Sequence, residues 1–334
     1  MAQIRAFAEW EEQEALLISL PHKNSDWAEY LDEILASYEE LLSAVLPYQH
    51  CVAICEDEGV LRQFERFKNI GQGCELLCVP TDDTWIRDYG LIDVSSDNEK
   101  GGVLSYDFKF NAWGGKFSSS KDNAVNAYLA KHFGTPVKSV DMVLEGGSVE
   151  FNGAGVLLTT TECLLNDNRN SSLNKAQIEE KLKELFGLER VVWLENGFIR
   201  GDDTDSHVDT LARFIAPDIV AHAICEDSGD EHFAPLRAMA SEIEAAGFKR
   251  IELPLPAAKY YGDKRLGCTY TNFIFVNGAL IVPTYDDAMD EVVLSRLRKA
   301  LPNHDIIGVN SLVFVRQNGS LHCSSQNRFK RAKS

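Results

Sequence analysis

One unit of structure recurs along this 334-residue chain: a two-stranded hairpin, an amphipathic helix and one further strand. The clearest hairpins cover 147–160, 210–223 and 272–284 and turn at Asn152-Gly153, Ala216-Pro217-Asp218 and Asn277-Gly278. Asn-Gly between alternating apolar residues signals a hairpin because both positions accept positive φ. Phe151, Phe214 and Phe275 hold matching places before the three turns. Apolar residues at helical spacing follow each hairpin: Ile178, Leu182 and Leu185, then Leu236, Met239, Ala240 and Ile243, then Val292, Val293 and Leu297. Gly187, Gly247 and Pro302 stop these helices, and strands over 190–194, 250–253 and 305–309 close the units.

Two earlier stretches fit the same plan. The first has a strand over 16–20, a helix from Trp27 to Val45 with one apolar stripe, and a closing strand over 52–54. The second has strands near 89–94 and 103–108, a helix near 123–133 and a strand near 137–140, while 56–67 and 75–79 read as an extra helix and strand inserted before it. Short repeats bury their apolar faces only against one another. No linker rich in Pro, Gly or Ser interrupts them, so the pattern predicts a single α/β domain over 1–334, five units arranged in a ring around a central channel.

Composition excludes several classes of function. The 51 acidic against 33 basic residues give a net charge of -18, which repels a phosphate backbone and argues against nucleic-acid binding. The N-terminus lacks the basic start and apolar core of a signal peptide, and no apolar run is long enough to span a membrane. A cytoplasmic protein is expected, with its eight scattered cysteines reduced. Cys51 with Cys55 and Cys74 with Cys78 lie in apolar strand-like runs and are expected to pack in the core. The basic tail from Arg328 to Lys333 reads as a mobile end.

Chemically capable residues fall at corresponding joints of the units: Asp88, Glu145, His207 with Asp209, and Cys323 near the end of the fifth. Asp82 to Asp88 gathers aromatic, basic and acidic groups, and Glu145 precedes two glycines that allow close backbone approach. Residues 201–209 pack four carboxylates and one imidazole into nine positions. With Val208 in a strand, alternation would point His207 and Asp209 to one face, a pairing suited to a cation. Each group also has a structural reading: Asp88 as an Arg partner, Glu145 as a turn residue, Cys323 as a buried thiol.

Trp85-Ile86-Arg87-Asp88, Glu145-Gly146-Gly147, His207-Val208-Asp209 and Cys323, in that order, resemble the agmatine deiminases, a branch of the guanidine-modifying pentein superfamily close to the peptidylarginine deiminases. The resemblance spans essentially the whole chain. It implies a five-bladed α/β propeller with pseudo-fivefold symmetry, an active site in the central channel and no cofactor. It further implies that Asp88 and Asp209 clamp a planar guanidinium while Cys323, as thiolate, attacks its carbon. A bound cation or a protonated His207 would lower the thiol pKa, and His207 would then protonate the departing ammonia and deprotonate the water that releases the ureido product, with Glu145 orienting it. Trp85 would lie against the substrate. Asp203 stands where the family commonly has a glutamate that receives the distal amine of agmatine, with Asp202 able to share that role, and Asp205-Ser206 replaces a common Asn-Gly.

The expected reaction is hydrolysis of agmatine to N-carbamoylputrescine and ammonia, a step toward putrescine and the polyamines, by an enzyme needing no metal. A deiminase for terminal arginine of a peptide is the nearest rival, but it would want a basic or backbone-donor clamp where residues 202–205 are acidic. Amidinotransfer and a non-catalytic pentein that binds ribosomal subunits are the remaining alternatives. Oligomeric state is left open, a homodimer included.

Overall fold

Each repeat folds as a blade in which an antiparallel strand pair is followed by a helix and a parallel strand. The computed structural model describes residues 3–99 and 101–331. In the third blade Glu150–Phe151 pairs antiparallel with Val156–Thr160, which pairs parallel with Arg190–Leu194 after the helix Lys175–Phe186. The fourth repeats this with Ala212–Ala216, Ile219–Ile224, the helix Phe233–Ala245 and Lys249–Pro254. The fifth uses Ile274–Val276, Ala279–Thr284, the helix Ala288–Ala300 and Asp305–Asn310. In the second, Ile92–Ser96 and Val103–Lys109 form the hairpin, Val137–Val143 closes it, and Ile4–Ala6 adds an outer strand.

The first blade is assembled from both ends of the chain. Ser325–Phe329 pairs antiparallel with Gln13–Ser19, which pairs parallel with Cys51–Cys55, and the inserted strand Cys74–Cys78 extends the same sheet. The helix Leu31–Val45 lays Ile34, Leu35, Tyr38, Leu41, Leu42 and Val45 into the apolar layer over it. Local signals set the other helices too. Asn174 and Gln177 form a reciprocal capping box at the start of Lys175–Phe186, Ile178, Leu182 and Phe186 make its buried stripe, and Gly187 ends it at φ 63°. The hairpin asparagines also stitch blades together: Asn152 donates to the Pro217 carbonyl, and Asn277 exchanges two hydrogen bonds with the Gln13 backbone.

Some expectations are corrected. Tyr89 ends a helical turn, Ile86–Tyr89, and the strand predicted from it begins at Ile92. Val208 lies in a 3-10 turn, Val208–Thr210, because the chain must bend before entering Ala212–Ala216. Cys51, Cys55 and Cys74 are buried free thiols, but Cys78 is exposed, since its strand is the sheet edge. Arg328 is buried in a strand and pairs with Asp93, and Lys330 and Arg331 pair with Glu12 and Glu14, so the expected mobile end is held in place through Arg331; residues 332 and 333 lie outside the described residues. No helix among the described residues is long and apolar enough to cross a membrane.

Candidate active site

The segment leading into the first strand of every antiparallel pair carries a polar group. Asp88 precedes Ile92–Ser96, Glu145 precedes Glu150–Phe151, His207 and Asp209 precede Ala212–Ala216, and Asn272 precedes Ile274–Val276. Cys323 occupies the same joint before Ser325–Phe329, so it belongs to the first blade rather than the fifth. Arg87 fastens this joint to the second blade, its backbone N–H donating to the Cys323 carbonyl and its Nε to the His322 carbonyl.

Three of these groups meet over a single glycine. A β-carbon on Gly147 would stand 2.6 Å from His207 Nδ1, 2.9 Å from Asp88 Oδ1 and 3.0 Å from Asp209 Oδ2, which explains why only glycine fits there. The Gly147 N–H donates to Asp88 Oδ1 at 2.9 Å, and Trp113 Nε1 donates to Asp88 Oδ2 at 3.0 Å. His207 Nδ1 lies 3.6 Å from Asp88 Oδ1. Both ring nitrogens of His207, Asp209 Oδ1 and Glu145 Oε2 are buried without a hydrogen-bond partner. Orphaned buried polar atoms are costly in a finished core, so their convergence marks a place built for something else to bind.

Arg169 holds the imidazole side of the site. Its Nε donates to Glu145 Oε1 at 2.9 Å, and its other nitrogens reach the Thr204 carbonyl and the Asp205 carboxylate, tying Glu145 to the loop that delivers His207. In that loop Asp205 and Ser206 take φ values of 66° and 63°, a left-handed pair that accounts for Asn-Gly being common there in the family it resembles. Glu145, Cys163 and His207 bring one potential ligand atom each within 4.8 Å of one another, a cluster that linear spacing does not reveal. The Arg169 guanidinium already on Glu145 opposes a metal cation at that point.

Asn272 grips the nucleophile candidate. Its Oδ1 accepts the backbone N–H groups of His322 and Cys323 at 3.0 and 3.2 Å, and its Nδ2 donates to Cys323 Sγ at 3.2 Å. The thiol in turn donates to Asp209 Oδ2 at 3.7 Å. Burial, then the charges of Asp209 and Asp88, push the Cys323 thiol well above its ordinary pKa. Burial pushes His207 down to about 3 against the pull of Asp209. Of the two expected ways of lowering the thiol pKa, these directions disfavour a protonated His207 and favour a bound cation. Burial, then Asp209 and Glu145, also raise Asp88. Asp209 goes the other way: its burial is outweighed by the His322 hydrogen bond together with the charges of His322, His207 and Arg213.

A cavity of about 450 Å³ opens onto Cys323. Asp26, Asp83, Asp88, Asp202 and Asp203 line it, along with Trp85, Trp113 and Phe117, and among the described residues no lysine, arginine or histidine does. Asp203 accepts from Asn318 Nδ2 at 2.7 Å. Asp202 is committed to its own loop, accepting from the Thr204 hydroxyl and the backbone N–H groups of Thr204 and Ser206. Trp85 packs on Trp27 and would collide with any side chain at Gly319. Sequence reasoning missed Trp113, Arg169, Asn272, His322 and Asp26, and it gave Asp83 no role of its own. The glycine pair after Trp113 and the joint position of Asn272 were readable signals; the others are recognised only through partners distant in the chain.

This arrangement defines the pentein fold, and a Microseira wollei amidinotransferase shares it at 11% identity with a TM-score of 0.54. The chain belongs to the Porphyromonas-type peptidyl-arginine deiminase family, whose model matches residues 5–328. A cysteine-to-serine form of the C. jejuni agmatine deiminase with substrate bound is 54% identical, covers 99% of this chain and 98% of that one, and superposes with a TM-score of 0.95. The agmatine deiminase of Pseudomonas aeruginosa strain LESB58 is 31% identical over 96% of this chain and 94% of its own length.

Proposed function

We propose that this protein hydrolyses agmatine to N-carbamoylputrescine and ammonia. One observation carries the reading: five aspartates and no cationic side chain line the cavity above a buried cysteine. Agmatine carries two positive charges and no carboxylate, so such a cavity suits it. Free or peptide-terminal arginine would bring a carboxylate or amide into an acidic pocket with no cationic partner, so deimination of terminal arginine is the weaker reading.

Asp88 and Asp209 take the guanidinium from two directions, each charge-assisted hydrogen bond contributing about 1.5–3 kcal/mol. The bound cation places positive charge beside the sulfur, which draws the thiol toward thiolate and offsets the field of the acids. Cys323 passes its proton to His207 and attacks the guanidinium carbon. The resulting tetrahedral adduct expels ammonia as His207 returns a proton to the leaving nitrogen, and a thiouronium remains on Cys323. His207 then takes a proton from water, the hydroxide adds to the same carbon, and the C–S bond breaks to free the ureido product. Glu145, fixed by Arg169, orients the imidazole. Trp85 walls the cavity, and Asp203, with Asp202 behind it, faces the distal amine.

The proposal takes the chain as one cytoplasmic domain over 1–334 that acts without a metal or nucleic acid and acts on polyamine precursors; sedimentation would tell monomer from homodimer. Ammonia release with agmatine, arginine and a C-terminal-arginine peptide in parallel, repeated with Cys323→Ala, tests the assignment. Turnover of agmatine alone, abolished by the substitution, is expected. Preference for the peptide would overturn the substrate, and turnover by Cys323→Ala would overturn the nucleophile.

A further inference from the structure

The structure assigns His322 as a positioning residue for the reaction, holding Asp209 aimed at the reacting carbon with Glu9 bracing it from behind. The assignment rests on the substrate reading above and adds two residues to it. His322 Nδ1 lies 2.7 Å from Asp209 Oδ2, and its Nε2 lies 2.7 Å from Glu9 Oε2, so one buried imidazole joins two carboxylates that are distant from it and from each other in the chain.

Glu9 is itself fixed. Its Oε1 accepts the Phe275 N–H at 2.8 Å and its Oε2 accepts Arg213 at 2.7 Å, while Arg213 Nε donates to Glu150. Arg87 stands 3.9 Å from Glu9. His322 therefore sits between a braced carboxylate and a working one, and it cannot swing without breaking a charge-assisted bond at either end. Glu9 and His322 also line a second cavity of about 510 Å³ that shares no wall residue with the cavity over Cys323.

The working end needs such a support. The Asp209 carboxylate is faced by Asp88, His207, Cys323 and His322, with the Arg213 charge behind His322, and two of these neighbours, Asp88 and the thiol on ionising, oppose its negative charge. Its Oδ2 lies within hydrogen-bond distance of His322 Nδ1 and accepts from the Cys323 thiol, which leaves Oδ1 unpartnered for substrate. A donor behind Oδ2 both fixes the rotation of the carboxylate and keeps it ionised.

The two amide replacements of His322 separate its two bonds. Asparagine places a donor where Nδ1 stands, and glutamine places one where Nε2 stands. With agmatine between pH 6 and 9, H322N should keep kcat/KM within about 5-fold of the native enzyme. H322Q should lose on the order of 10- to 100-fold, the size of one hydrogen bond to a charged group, with the acid limb moved to higher pH. Equal losses in both variants, or an unchanged acid limb in H322Q, would overturn the assignment. Independently of turnover, histidine-15N NMR of the empty protein, with the resonance identified by its loss in H322Q, should show Nδ1 protonated between pH 6 and 8. An unprotonated Nδ1 overturns the assignment even if a variant folds poorly. A native enzyme that ignores agmatine but shows the protonated Nδ1 would count against the substrate and leave the His322–Asp209 support standing.

Discussion

Asn272 holds Cys323 from two directions at once, its carbonyl oxygen fixing the backbone N–H at 3.2 Å and its amide nitrogen donating to the sulfur at 3.2 Å. The donor stabilises a thiolate more than a thiol, since a hydrogen bond to a charged acceptor is worth about 1.5–3 kcal/mol against roughly 1 for a neutral one. Asn272→Asp keeps the shape and replaces the donor with a carboxylate. It should lower kcat by about 100-fold or more while Asn272→Ser loses less, which steady-state kinetics on agmatine would read.

The thiol of the empty enzyme should be slow to alkylate at neutral pH, and its rate should still climb beyond pH 9, because burial and two aspartates raise its pKa. Asp88→Asn removes one of those charges. Iodoacetamide labelling of Cys323 at pH 8, followed by peptide mass spectrometry, should therefore become faster in that variant even as turnover collapses. Unchanged labelling would mean that the Asp88 charge does not reach the sulfur.

Gly147→Ala should abolish turnover, by about 100-fold or more, without unfolding the protein. The new methyl would enter a space already bounded by His207, Asp88 and Asp209 within 3.0 Å, so those three side chains must separate. Circular dichroism and ammonia release measured on the same preparation would test it.

Asp122 sets a stability gradient with pH. Its buried carboxylate accepts the backbone N–H groups of Asp82 and Asp83, and burial raises its pKa from 3.8 to about 8. An acid raised in the folded state stabilises fully below its unfolded pKa and loses that stabilisation as pH climbs through the folded value. Between about pH 4 and 8 the native protein should lose up to roughly 1.4 kcal/mol per pH unit through this group. Asp122→Asn keeps the acceptor and lacks the charge, so its Tm advantage should grow from pH 5 to 8 and level off above.

Arg169→Met should destabilise by about 3–5 kcal/mol, because it strands the Glu145 carboxylate in a fully buried position. Denaturant unfolding would measure the loss. Glu145→Gln in the same background should recover part of it, as expected when the cost is an unpaired charge.

What the sequence made legible was whatever has a local cause. Asn152-Gly153 and Asn277-Gly278 announce their hairpins because positive φ is demanded at that point, and Asn174, Gln177 and Gly187 bound a helix through contacts a few residues long. Asp88, Glu145, His207, Asp209 and Cys323 stood out because the repeat puts them at equivalent joints. Arg169 and His322 did not, since a buried basic side chain is recognisable only beside carboxylates that come from elsewhere in the chain. The reading of Val208 failed for a related reason: alternation cannot reveal where a chain must turn before it pairs.

The pairing of Ser325–Phe329 with Gln13–Ser19 makes the sulfur a late arrival. Four blades can form from neighbouring sequence, whereas this one must join segments some three hundred positions apart, the slow kind of contact in folding. During synthesis the clamp, the base and the acidic cavity all emerge from the ribosome before the nucleophile does. A half-made chain is thus chemically silent, and reactivity begins only when the ring has shut.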